Sequence, residues 1–192
     1  MKKSPVGIIA GVLLLIFTGL SAYNTWQAGV LSNLLPVFMP EIWPSYLLLA
    51  LPVLGYALVT ASLFAGLPWL TSLGGLLAAV PSGINLFYVI LPHFAVIATP
   101  WLFLAKTVLL LLSLGLLILC GLLPGRARPL AAASVLCMLA QYAVAIVQAG
   151  PARITPADVC WHLLFTAGVL LLGAAFRAFS LRRRASRAGW DL

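Results

Sequence analysis

The sequence predicts an all-α integral membrane protein, a bundle of six transmembrane helices forming one polytopic domain over residues 1–192, with the third helix broken near Pro81–Gly83. Three observations predict it. The chain is 64% hydrophobic and 7% charged, against about 25% charged residues in a soluble domain. Its mean hydropathy is +1.15, which leaves too little polar surface for a fold bathed in water. Apolar runs of about 20 residues, the length that crosses a hydrocarbon core, recur near 6–23, 46–64, 70–91, 100–123, 130–149 and 159–179.

The first run follows Lys2 and Lys3 and extends from Val6 to Leu20. A signal peptide would end in a small-residue cleavage site. Leu20-Ser21-Ala22 is a poor one, so a retained first helix is expected. Asn24 to Ser45 is the longest connection, with Trp26, Trp43, three prolines and Glu41 but no Lys or Arg. Tryptophan favours the membrane interface, so this connection reads as a lid lying on the membrane. Tyr46 to Phe64 is the second span, with Pro52 in its first half, and Gly66-Leu67-Pro68-Trp69 is a tight turn.

The third span carries the chain's most unusual stretch, Pro81-Ser82-Gly83-Ile84-Asn85. Proline removes a backbone donor and crowds the preceding turn. In hydrocarbon, the freed groups cost several kcal/mol unless something satisfies them. The segment is therefore a candidate site. The fourth span, from Pro100, contains Lys106, and Pro124-Gly125-Arg126-Ala127-Arg128-Pro129 is a turn before the fifth. Gly150 to Asp158 reads as a polar turn, and Arg177, Arg182, Arg183, Arg184 and Arg187 close the sixth span.

Six spans put Lys2, Lys3, Arg126, Arg128 and these five terminal arginines on one side, Arg153 alone on the other, and Lys106 within a span. By the excess of Lys and Arg on cytoplasmic connections, both termini are expected in the cytoplasm of a bacterial-type inner membrane. The net charge of +8 thus reads as topology and lipid contact, with no nucleic acid as partner.

Lys106 is the one ionisable residue well inside a span, about 9 Å along the helix from Pro100. Its stem is long enough to carry the ammonium to the interface, or the charge is retained for a ligand. The same topology sends Glu41, Asn85, His93 and His162 toward the outer side, and Lys106, Asn85, Ser82, Glu41, His93 and His162 form the candidate ligand-binding set. No catalytic, metal or cofactor residue is expected. Cys120, Cys137 and Cys160 form no Cys-x-x-Cys, Gly-x-Ser-x-Gly and His-Glu-x-x-His are missing, and three acidic residues in the whole chain give general acid–base chemistry few players. His93 and His162 alone do not suffice for a haem or redox centre.

The leading expectation is a protein of the lipid bilayer that binds a small molecule from the outer side, as a transport protein or the membrane subunit of a transporter. The alternative is a structural or assembly subunit that packs against other membrane subunits, for which the small residues Gly74, Gly75, Ala78 and Ala79 would form the docking face.

Overall fold

In a computed structural model, which describes residues 4–31, 43–97, 99–150 and 154–187, the chain forms six long helices. They are α1 (Pro5–Leu31), α2 (Trp43–Ala65), α3 (Trp69–Asn85), α4 (Pro100–Leu122), α5 (Ala127–Ala149) and α6 (Pro156–Arg187). All six are long and apolar enough to cross a membrane, so the protein is an all-α, multi-pass membrane bundle. Each helix packs against its neighbours in sequence, and α6 returns to α1, closing a ring.

Local chemistry sets the helix ends. At the end of α2, Gly66 takes φ 68°, and the Leu67 N–H donates to the Ser62 carbonyl at 3.0 Å. This six-to-one bond with a left-handed glycine is a Schellman cap. Pro124 opens a single 3₁₀ turn, Pro124–Arg126, that leads directly into α5. Pro129 falls in the first turn of α5, where proline needs no intrahelical donor, so α5 starts at Ala127 and the expected turn is shorter. At the start of α6, the Thr155 N–H donates to Asp158 Oδ2 (2.9 Å) and the Asp158 N–H donates to Thr155 Oγ1 (3.2 Å). That is a capping box, with Pro156 at the first helical position.

Two expectations about element limits change. Helix α1 continues through Asn24 to Leu31, where the long connection was expected to begin. No proline interrupts this stretch, and Gln27 Nε2 donates to Tyr23 Oη at 2.9 Å, an i,i+4 pair that supports the helix. The remainder of the expected lid, including Glu41, lies outside the described residues.

The irregularity of the third span also moves. Pro81 and Gly83 stay inside α3, and the helix widens into a π-helical turn one turn later, at Leu86–Ile90. The Leu91 N–H there bonds the Leu86 carbonyl at 3.0 Å. Packing explains the shift. The buried residues of α3 are Thr71, Gly74, Gly75 and Ala78, which pin the helix up to Pro81. Beyond it, Ile84, Phe87, Tyr88 and Val89 are exposed, and Ile90 alone in the π-helical turn is buried, so fewer contacts hold the helix to regular geometry.

The ring is held by close contacts between small residues. A Cβ on Gly55 would meet the Ala78 N at 2.8 Å, and one on Gly74 would meet Val59 Cγ2 at 2.9 Å. A Cβ on Gly75 would meet Ile118 Cγ1 at 2.8 Å. The small residues that would have served an external docking face are therefore used in the crossings of α2, α3 and α4. Buried hydroxyls add pairs at the seams, Thr18 with Thr60 (3.2 Å) and Ser62 with Thr71 (2.6 Å).

Candidate polar layer in the bundle

The seam between α4 and α5 repeats every seven residues. Cys120 Sγ donates to the Ala127 carbonyl at 3.6 Å. Two turns away, Ser113 Oγ donates to the Ser134 carbonyl (2.8 Å) and Ser134 Oγ to the Ser113 carbonyl (2.9 Å). Two further turns carry the same antiparallel register to Lys106 and Gln141. Seven residues is close to two turns of an α-helix, so Lys106 and Gln141 continue the seam. Gln141 is buried, and Lys106 is partly buried.

At the next seam, α5–α6, Tyr142 stacks on His162 with ring centroids 3.8 Å apart and planes 23° apart. Trp161 meets His162 edge-on at 4.7 Å and donates its Nε1–H to Ser21 Oγ of α1 at 2.8 Å. His162 Nδ1 lies 2.8 Å from the Asp158 carbonyl. A carbonyl only accepts, so Nδ1 carries the hydrogen and Nε2 of the neutral ring keeps a lone pair. Two buried hydroxyl oxygens on this seam, Tyr142 Oη and Thr166 Oγ1, have no hydrogen-bond partner among the described residues. Thr166 is one turn along α6 from His162, so both oxygens lie near the histidine in depth.

The expected site residues are only partly gathered. Lys106 and His162 lie at the level of the neighbouring residues Gln141 and Tyr142, on the two seams that α5 joins. Asn85 comes within about a turn of that depth by the α3–α4 register, in which Ser72 Oγ donates to the Ile118 carbonyl at 2.8 Å, but its side chain is exposed. Ser82 lies about one turn deeper and is partly buried. His93, past the π-helical turn, is exposed, with Nδ1 3.0 Å from the Val89 carbonyl. Glu41 lies outside the described residues. Helices α3 and α6 stand across the ring from each other, so the two histidines belong to different walls. No group of three or more His, Cys, Asp or Glu side chains suited to a metal ion occurs among the described residues.

Gln141, Tyr142, Trp161 and Thr166 were not singled out as site residues from the sequence. The signal for Gln141 was present in the matched heptads Lys106-Ser113-Cys120 and Gln141-Ser134-Ala127. The layer supplies an ammonium, an amide, an imidazole lone pair and two hydroxyls. Asp158, the one described carboxylate nearby, accepts from both Thr155 groups, the N–H and the Oγ1–H (2.7 Å). Such a set suits hydrogen bonding to a polar or anionic group more than bond-breaking chemistry.

The other end of the ring is different in kind. The start of α1, the α2–α3 turn, the end of α4 and the end of α6 surround a cavity of about 1010 Å³ whose lining includes Ser4, Phe64, Leu67, Phe176, Arg182 and Arg183. The residues that line it put both described ends of the chain on one side of the bundle. Comparison with protein families, with curated proteins and with solved structures finds no match for this chain.

Proposed function

We propose that the protein binds a small polar or anionic molecule in the half of its bundle away from the termini, as a transport protein or as the membrane subunit of a transporter. In this reading the membrane is a bacterial-type inner membrane, both termini are cytoplasmic, and the ligand arrives from the outer side. The orientation is supported by the excess of Lys and Arg at the terminus-bearing end.

The observation that carries the binding reading is the pair of buried hydroxyls of Tyr142 and Thr166, which have no partner among the described residues and lie on the seam of His162. A buried polar atom without a partner costs about 1–3 kcal/mol. Retaining two of them at one seam, next to an imidazole and level with Lys106, is explained by a bound group that completes their hydrogen bonds. The assembly alternative keeps the scarcity of polar residues in its favour, but three of its small residues, Gly74, Gly75 and Ala78, are buried within the protein's own crossings.

The test compares wild type with Tyr142→Phe and Lys106→Met, each purified in mild detergent. Small molecules that stay bound are identified by mass spectrometry, and folded yield is measured in parallel. A molecule retained by wild type and depleted in both variants at unchanged yield is the expected result. The same bound molecules in all three proteins would overturn the reading.

A further inference from the structure

We propose that the cavity at the terminus-bearing end is a seat for one anionic phospholipid, with the headgroup phosphate between Arg182 and Arg183 and an acyl chain along the apolar wall. This site is independent of the polar layer, which lies at the opposite end of the bundle. At about 1010 Å³, the cavity is at the upper end of the size of ligand pockets, about 300–1,000 Å³. Its chemistry is one-sided. The wall is formed by Leu63, Phe64, Leu67, Leu122, Phe176 and Phe179, and the cations Arg182 and Arg183 stand at one edge.

Ser62 is already engaged, donating to the Val59 carbonyl at 2.6 Å and paired with Thr71. A second cavity, of about 550 Å³, adjoins the first and shares Arg183 with it, adding Arg126 and Arg177 to its lining. Arg177 donates Nη1–H to the Gly125 carbonyl at 3.0 Å, which ties the end of α6 to the α4–α5 turn and holds the basin in shape. Among the described residues the one acidic side chain, Asp158, is at the far end of α6, so no described carboxylate pairs with the arginines of the basin.

A soluble anion would satisfy the arginines and leave the apolar wall wet. A neutral hydrocarbon would fill the wall and leave the arginines without an anion. An amphiphile with an anionic head satisfies both, and a basic surface at the edge of a bilayer is where such lipids meet a protein. Arginine suits the phosphate because its planar fork donates to two oxygens at once.

The test uses the delipidated full chain in detergent and native mass spectrometry. The protein is titrated with phosphatidylglycerol, with phosphatidylcholine of the same acyl chains, and with phosphatidylglycerol in the presence of millimolar inorganic phosphate. The variants are Arg182→Gln with Arg183→Gln, the same pair to Lys, Ala178→Phe to fill the cavity that Ala178 lines, and Arg128→Gln. Arg128 is exposed on α5 and lines neither cavity.

The expected result is one tightly bound phosphatidylglycerol in wild type, weakened about tenfold or more by the Gln pair. Ala178→Phe should weaken it comparably, the Lys pair should retain part of it, and Arg128→Gln should retain all of it. Equal binding of phosphatidylcholine, displacement by inorganic phosphate, or an equal loss in Arg128→Gln would overturn the proposal. So would full binding by either the Gln pair or Ala178→Phe. Because Ala178→Phe keeps every charge and the Gln pair keeps the cavity, misfolding of one leaves the other to decide.

Discussion

Lys106 and Asn85 lie within about a turn of each other in depth but face different surroundings. Lys106 continues the α4–α5 seam and is partly buried, whereas the Asn85 side chain is exposed. A ligand held by the polar layer should therefore feel Lys106 far more than Asn85. Lys106→Met is expected to weaken binding about tenfold, since a lost charged hydrogen bond is worth about 1.5–3 kcal/mol. Lys106→Arg should recover part of it, and Asn85→Leu should leave binding within about threefold, within the range of a surface substitution. Ligand titration against the three purified variants checks the order, and equal losses in Lys106→Met and Asn85→Leu would contradict it. At Thr166, the Val substitution removes an oxygen that has no partner among the described residues. Without a ligand, Thr166→Val should be neutral or stabilising in a denaturant titration, and with saturating ligand wild type should gain stability that the variant does not. The sequence made Lys106 conspicuous because a charge within an apolar span is rare. It did not make Tyr142 and Thr166 conspicuous, because an orphaned hydroxyl is defined by its neighbours across a seam and not by its own position.

Among the elements, α3 and α6 show what local sequence specifies and what packing decides. Pro81 and Gly83 predict a break, and the third span does contain an irregular turn. Its location is set by Gly74, Gly75 and Ala78, which are held against α2 and α4 and carry the regular helix past the proline to Asn85. Pro81→Ala is therefore expected to be mild in folded yield, with the π-helical turn retained, while Gly55→Val should be severe. A Cβ at Gly55 would press on backbone atoms of α3, including the Ala78 N at 2.8 Å, and overpacking against backbone costs about 1–3 kcal/mol or more. Folded yield after detergent extraction compares the two, and a Pro81→Ala defect as large as that of Gly55→Val would show that the proline itself organises the helix. The start of α6 was legible in principle, since Thr155-Pro156-Ala157-Asp158 has the spacing of a capping box. A polar turn and a cap use the same residue types, and the apolar run that marks the span begins only at Val159. Thr155→Ala should cost about 0.5–2 kcal/mol, measured by reversible denaturation.

At the scale of the whole molecule, the ring has two unlike ends, and the placement of Lys and Arg along the sequence predicts the difference. Six runs of hydropathy give the number of helices, and the even number returns the chain to its starting side. The closure of α6 on α1 was not legible, because it depends on matches such as Phe17 against Phe165 (5.4 Å) and Trp161 against Ser21, which no single span reveals. The sidedness of the ends yields the last prediction. Single cysteines are placed at positions 41, 126, 153 and 187 in a chain whose Cys120, Cys137 and Cys160 are replaced by serine or alanine. In intact cells, an impermeant thiol reagent should reach 41 and 153 but not 126 or 187. The reason is electrostatic. Arg126 and Arg128 open α5, and the arginines from Arg177 onward close α6, so inverting this hairpin would carry seven guanidinium groups across the bilayer, each costing ~2.5–3.5 kcal/mol at the centre of a helix. Replacing Arg126 and Arg128 with alanine removes only the charges of the α4–α5 turn. A cysteine at 153 should then become partly protected, as a fraction of molecules inserts the hairpin the other way. Full labelling at 153 would mean that the arginines at the end of α6 fix the hairpin alone. Labelling of 126 and 153 from the same side in the parent protein would contradict the arrangement of six spans across one membrane.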